Sequence, residues 1–366
     1  MSPEGSSSKS PVLVLFFEAL AALLSVAIVV PPANRVMLIA TVVAVELSPY
    51  VLILNLIGLV AAVRLGGRLR LATASLAAMN ILFCAIPIVA TMRSGIPLRL
   101  PVVPKPMSDV VESSVPIDLG DERTSIHAYL PGSGEKNPVV FAIYGGAWQW
   151  GTPDNDATLD RFLAASGFAV FALDYRHAPA YEFPTPLGDV RREIALITSQ
   201  AKKYRIDTGR MAILGHSSGG QMAELIAFAP ATPFRALVSF SGAVDLTMGY
   251  EFPPSPDPIG VPGIIRSYMG GTPVQMAGRY HAASPIDNVR CGSPPTLLIY
   301  GNRDHVVDFR SALRLRDALR SCGTDVTLLE LPWTEHGFED VPWGLHASIA
   351  FAEVEAFLHR NLSAVR

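Results

Sequence analysis

Three long apolar runs near the amino terminus restrict this chain more than any other feature. Residues 11–30 contain one charge, Glu18; residues 36–63 contain only Glu46, with Pro49 three positions on; residues 71–91 contain none. Roughly 20 apolar residues cross the ~30 Å hydrocarbon layer of a bilayer, so each run is long enough to span one. Helices of a soluble bundle ordinarily keep a polar face, and three successive runs without one argue for membrane. A cleaved leader would have a shorter apolar core and would not be followed by two further runs.

Charge sharpens the contrast. The chain holds 29 Lys and Arg and 32 Asp and Glu, but residues 1–95 carry only Lys9, Arg35, Arg64, Arg68, Arg70, Arg93, Glu4, Glu18 and Glu46. The expectation is a tail over 1–10 and about three transmembrane helices at 11–30, 36–63 and 71–91. Glu46 and Pro49 mark a kink or a re-entrant turn, leaving two to four crossings open. Three arginines within 64–70 place the amino terminus in the cytoplasm and everything after residue 95 outside. Residues 94–114 contain Pro97, Pro101, Pro104 and Pro106, and read as a stiff spacer lifting a domain from the bilayer.

A net charge of −3 leaves no electrostatic footprint for nucleic acid. Three cysteines and no Cys/His cluster of zinc-ligand spacing imply neither a disulfide scaffold nor a metal site.

From residue 115 onward the pattern changes to short apolar runs alternating with helical segments. Runs at 139–144, 168–174, 211–215, 236–241, 296–300 and 326–331 are continuously apolar, as in strands buried on both faces of a parallel sheet. Helical patterns at 156–165, 187–203, 218–229, 309–322 and 344–362 separate most of them, giving an α/β domain over 115–366. Residues 114–118 and 124–129 read as an antiparallel lead-in pair. Residues 242–290 are a long connection rich in Pro and Gly, expected to be a lid or binding insertion.

The chemistry clusters at strand ends. Gly215-His216-Ser217-Ser218-Gly219 matches Gly-x-Ser-x-Gly, follows an apolar strand and opens an apolar helix, which is the setting of a nucleophile elbow. A serine hydroxyl needs a base and an orienting carboxylate. Asp304 follows the strand at 296–300 and His336 the strand at 326–331, so both reach the rim that carries Ser217. His216, His281 and His305 are rival bases, and Asp245 and Asp308 rival acids. Gly145, Gly146 and Ala147, just after the strand at 139–144, together with the N–H of Ser218, are the candidate oxyanion donors. Trp148, Trp150, Trp333 and Phe338 are candidate walls of an acyl or alcohol pocket, or ordinary packing. No metal or organic cofactor is implied.

With these residues in view, the chain resembles the α/β-hydrolase superfamily. Within it, the resemblance is to hormone-sensitive-lipase-like carboxylesterases and the feruloyl and acetyl-xylan esterase group. Tyr144-Gly145-Gly146-Ala147-Trp148 echoes His-Gly-Gly-Gly-Trp; Asp174-Tyr175-Arg176-His177-Ala178-Pro179 echoes Asp-Tyr-Arg-Leu-Ala-Pro; and Gly215 to Gly220 echoes the Gly-x-Ser-Ala-Gly-Gly elbow. Ser241-Gly242-Ala243-Val244-Asp245-Leu246 is similar to the same branch. The resemblance implies a mostly parallel sheet of the eight-stranded type flanked by helices. It also implies Ser217 as nucleophile, Asp304 as acid and His336 as base. Tyr144 stands where the family has histidine, and Ala147 where it has its third glycine.

The expected activity is hydrolysis of carboxylic esters, with a small molecule or a lipid as substrate and the membrane as partner. A second reading is an amide-cleaving relative of the arylformamidase or prolyl-peptidase kind, and a third a catalytically silent binding module on a membrane stalk. Cys291 and Cys322 should lie at one edge of the sheet, where a disulfide would fit an extracytoplasmic domain. Acyl length, alcohol and oligomeric state have no signature in the sequence.

Overall fold

The computed structural model describes residues 9–63, 67–99 and 109–363. Eight strands form one sheet: β1 (Val110–Asp118), β2 (Arg123–Pro131), β3 (Asn137–Ile143), β4 (Ala169–Leu173), β5 (Ile206–His216), β6 (Phe234–Phe240), β7 (Thr296–Gly301) and β8 (Val326–Leu331). Their order is β1-β2-β4-β3-β5-β6-β7-β8. The β1–β2 and β2–β4 pairs are antiparallel and all later pairs parallel, so the lead-in pair and the parallel core both stand as expected.

Successive side chains of the central strands point to opposite faces, and both faces are covered. Phe141 and Ile213 pack into one core beneath α6 (Thr185–Ser199), α8 (Ser218–Ala227) and α12 (Phe309–Ser321). Val140 and Ala212 pack into the other, beneath α5 (Ala157–Ala165) and α13 (Leu345–Leu362). Burial on both faces is why these strands read as unbroken apolar runs. The helical run at 187–203 divides at Gln200 into α6 and the short α7 (Ala201–Tyr204). The insertion at 242–290 folds as α9 (Leu246–Glu251), α10 (Val261–Met269) and α11 (Ala277–Ala283), ending in a 3₁₀ turn at Pro285–Asn288.

The amino-terminal third contains α1 (Lys9–Ala27), α2 (Arg35–Glu46), α3 (Ser48–Val63) and α4 (Gly67–Arg93). Among the described residues, only Leu69–Arg93 is a single helix long and apolar enough to cross a membrane. The run at 36–63 is not one straight span. It breaks at Leu47 into α2 and α3, which meet at 70°, and the pair counts as at most a second span. The apolar part of α1, Val12–Ala27, is shorter than a span. Within this bundle Asn80 Nδ2 donates to Asn55 Oδ1 (2.8 Å) and to the Glu18 carbonyl (3.1 Å). Such hydrogen bonds tie apolar helices together where burial alone gives little specificity.

These helices are docked on the sheet domain rather than raised above it. Leu38 and Val42 of α2 belong to the main core of the sheet domain. Glu46 is fully buried and accepts from the His346 backbone N–H and from His346 Nδ1, both at 2.8 Å, at the start of α13. The other ring nitrogen of His346 lies 2.9 Å from Thr91 Oγ1 of α4. Arg303 Nη1 donates to the Ile28 carbonyl (2.9 Å), and Tyr50 to that of Trp343 (2.9 Å). The spacer expected over 94–114 is corrected at both ends. Ile96 packs against the domain core, Arg99 pairs with Glu353 at 3.4 Å, and β1 already begins at Val110. Residues 100–108 of that spacer, residues 64–66 of the arginine-rich loop and most of the tail lie outside the described residues.

Candidate active site

Ser217 sits between the end of β5 and the first residue of α8, with φ 51° and ψ −115°. That strained backbone is the signature of a sharp strand-to-helix turn. It is possible because Gly219 has no side chain: a Cβ there would lie 2.2 Å from the Ile143 carbonyl oxygen. The turn lifts the hydroxyl above the sheet, and Ser217 Oγ lies 2.8 Å from His336 Nε2. His336 Nδ1 donates to Asp304 Oδ2, also at 2.8 Å. The other carboxylate oxygen of Asp304 accepts the N–H groups of Val306 and Val307 at 2.8 Å each, which fixes its orientation. The structure thus brings all three sequence-predicted residues into one hydrogen-bonded chain. Burial pulls the His336 pKa down, but the Asp304 charge and hydrogen bond outweigh it and leave it raised to about 9.

The rivals are engaged elsewhere. His305 Nδ1 lies 2.8 Å from Glu335, and His281 is largely exposed beside Asp287. Asp245 caps α9 and pairs with Arg314, while Asp308 caps α12. His216 is buried behind the elbow, with Nδ1 3.2 Å from Glu339 and 3.8 Å from Asp156. Burial lowers its pKa, and the surrounding carboxylates reverse this and raise it to about 9.

The oxyanion candidates lie beside Ser217. A Cβ on Gly145 would sit 3.1 Å from Ser217 Cβ. Gly146 has φ +147°, and a Cβ there would collide with the Trp150 carbonyl at 1.7 Å. Ala147, where the resemblance has glycine, takes φ 53°, and Trp148 takes φ 58°. The Ser218 N–H belongs to the first turn of α8, whose donors have no partner within the helix. Tyr144 anchors this loop: its hydroxyl donates to Asp174 (2.6 Å) and lies 2.9 Å from His177 Nε2, and its ring stacks on Tyr175 at 4.5 Å. A phenol therefore holds the loop where the family has an imidazole. The Tyr175 hydroxyl donates in turn to the Tyr144 carbonyl (3.2 Å).

Of the four aromatic candidates, Trp148 and Trp150 line the cleft around Ser217. Trp148 is fixed by stacking on Tyr268 (4.4 Å) and by its indole N–H to Gln221 (3.1 Å). Trp333 and Phe338 do not line it, which corrects the expectation for both. Trp333 packs against the amino-terminal helices with Arg303 over its ring at 4.2 Å, and Phe338 is buried in the core near Phe240. The cleft has a volume of about 490 Å³, and one of its walls was missed by sequence reasoning. Leu38, Ile39, Val42 and Val43 of α2 line it, as does Arg35, whose guanidinium lies 4.2 Å over the Trp150 ring. A signal existed: the 28-residue run at 36–63 is too long for one straight span and carries a carboxylate and a proline mid-way.

Cys291 and Cys322 form a disulfide with a Cα separation of 4.5 Å. Among the described residues, no cluster of His, Cys, Asp and Glu suited to holding a metal occurs.

The strand order, the elbow and the hydrogen-bonded Ser–His–Asp chain define an α/β-hydrolase. The chain belongs to the BD-FAE family, whose model matches residues 126–319. It is 31% identical over 235 residues to "Probable carboxylic ester hydrolase LipM" of Mycobacterium tuberculosis, covering 60% of this chain and 54% of that protein. It is also 31% identical over 215 residues to esterase LipC of the same organism, covering 55% and 53%. The chain thus spans about half the length of these curated relatives. Among solved structures, the hyperthermophilic esterase from Pyrobaculum calidifontis superposes with a TM-score of 0.62 at 22% identity, covering 76% of this chain and 92% of that one, and shares the fold.

Proposed function

We propose that this protein is a serine carboxylesterase held at a membrane by its amino-terminal helices. The observation that carries the reading is the chain Ser217 Oγ–His336 Nε2 and His336 Nδ1–Asp304, 2.8 Å at each link. His336 takes the Ser217 proton as Oγ attacks the ester carbonyl, and Asp304 holds the resulting imidazolium. The oxyanion is met by N–H groups of Gly146, Ala147 and Ser218, Gly145 giving the loop its close approach to Ser217. As the tetrahedral intermediate collapses, His336 returns the proton to the leaving alcohol. Water then enters, His336 deprotonates it, and the acyl group leaves as a carboxylic acid while Ser217 regains its proton. The relatives' names, carboxylic ester hydrolase and esterase, support esters as the substrate class.

Membrane attachment is supported by the length of Leu69–Arg93 and by the outward-facing apolar side chains of α1 and α3, among them Phe16, Phe17, Ile53 and Ile57. A disulfide between Cys291 and Cys322 favours an oxidising, extracytoplasmic compartment for the catalytic domain.

The test is hydrolysis of p-nitrophenyl esters from acetate to laurate by the detergent-solubilised protein and by Ser217→Ala. Loss of the nucleophile costs on the order of 10⁶-fold in turnover. Equal activity in both proteins would refute the role of Ser217. Retention of the protein in membranes washed with alkaline carbonate checks the anchor.

A further inference from the structure

Helix α2 has two apolar faces with different neighbours. Leu38 and Val42, one turn apart, are buried in the catalytic core and also border the cleft. Ile39 borders the same cleft but is 59% exposed, and Val36 beside it is 76% exposed. The insertion at 242–290 also lines the cleft, with Phe252, 65% exposed, and with Ile259, Ile264 and Ile265 from the segment around α10. The space in front of Ser217 therefore has an aliphatic side whose rim stays apolar as it opens to the surface. Soluble proteins seldom expose a contiguous apolar rim without a partner for it.

The surface next to that rim is apolar too. α3 leaves α2 at 70° and exposes Leu54, Ile57 and Val60. With α3 entering a bilayer, α2 turns away from it by 70°, toward the plane of the surface, with Val36 and Ile39 exposed. A long acyl chain has the chemistry that fits both the wall and this location.

The geometry points to α2 as the acyl-binding wall of the site, which makes the substrate class long-chain acyl esters of the kind a bilayer holds. This rests on the serine esterase reading for the chemistry, but not for the wall itself. The helix that looks like part of an anchor is then a specificity element. Each methylene moved from water onto such a wall favours binding just under fourfold, so three or four methylenes amount to about 60- to 200-fold.

The test uses alkyl fluorophosphonates, which report a nucleophilic serine whether or not any ester is turned over. Inactivation rates with ethyl and dodecyl reagents are measured on the full chain in detergent, for wild type, Ile39→Asp, Val43→Trp and Val274→Asp. Ile39 is exposed, so its replacement does not depend on repacking a core, and Val274 is 91% exposed and away from the cleft. The dodecyl-to-ethyl ratio is expected near 60 to 200 in wild type and in Val274→Asp, and at least tenfold lower in the two α2 variants. An unchanged ratio in both α2 variants, or a wild-type ratio near one, overturns the proposal. A wild type that is labelled with the full ratio yet hydrolyses no p-nitrophenyl ester refutes the esterase reading and leaves the wall standing.

Discussion

The carboxylate of Glu46 receives the backbone N–H and the imidazole Nδ1 of His346, 300 residues further along the chain, with both side chains fully buried. It also accepts from the Ala347 N–H at 3.2 Å. A charge placed at the first turn of a helix interacts favourably with its unpaired N–H groups. Here the carboxylate comes from a different part of the chain and joins the amino-terminal helices to the sheet domain.

A buried donor left without its acceptor costs about 1–3 kcal/mol, and Glu46 serves three, the His346 and Ala347 N–H groups and the His346 ring, so its loss costs on the order of 3 kcal/mol or more. Glu46→Ala should therefore lower the unfolding free energy of the whole chain by about that amount, with Glu46→Gln milder since an amide still accepts hydrogen bonds. Denaturant titration in detergent measures it. A change below 1 kcal/mol for Glu46→Ala would contradict the arrangement.

The pH profile should be alkaline. In its proposed role His336 works as a base only when neutral, and its pKa is raised from 6.5 to about 9 by Asp304 against the effect of burial. kcat/KM should accordingly rise with pH through a midpoint above 6.5 and toward 9. Asp304→Asn removes the cause of the shift, so the midpoint should fall and the plateau drop by about 10⁴. A wild-type midpoint below 6.5 would refute this.

Behind the elbow, His216 is also raised to about 9, and the neighbouring Asp340 carboxyl is raised by burial and by Glu339. Both shifts favour the protonated form in the folded state, so their stabilisation is lost as pH rises. For His216 it is complete below 6.5 and gone above about 9. Thermal midpoints should fall between pH 6.5 and 9. Glu339→Gln, which removes the hydrogen-bonded charge beside His216, should flatten that fall.

Tyr144→Phe removes the hydroxyl that ties the oxyanion loop to Asp174 and His177. The ring still stacks on Tyr175, so the fold should survive. Loss of one such tether should lower kcat about tenfold with KM changed less than threefold. Equal loss in kcat and gain in KM would indicate a role in substrate binding instead.

The Cys291–Cys322 bridge closes a loop with a sequence separation of 31. A loop of that length constrains the unfolded chain by about 3–4 kcal/mol. Cys322→Ser should reduce stability by that order, and native mass mapping should find only Cys84 with a free thiol.

Legibility in the sequence followed the physics of each part. The strands were readable because burial on both faces makes them uniformly apolar, and Ser217, Asp304 and His336 because each follows such a strand in a fixed order. Trp333 stays open between pocket wall and packing in the sequence, because its distance from His336 along the chain does not tell which side of a strand end a ring falls on. The wall from α2 was hidden for a different reason. Leu38, Val42 and Val43 look alike whether they face lipid, a protein core or a substrate, and only the bend at Leu47 distinguishes these surroundings.

The contact between Glu46 and His346 also orders the birth of the molecule. α2 is made 300 residues before its partner at the head of α13. Until then the helix has neither its hydrogen-bonding partner nor the completed sheet domain to lie against. One side of the cleft is thus finished only once α13 has been made, so a product stalled before it would carry Ser217 in an unfinished trough.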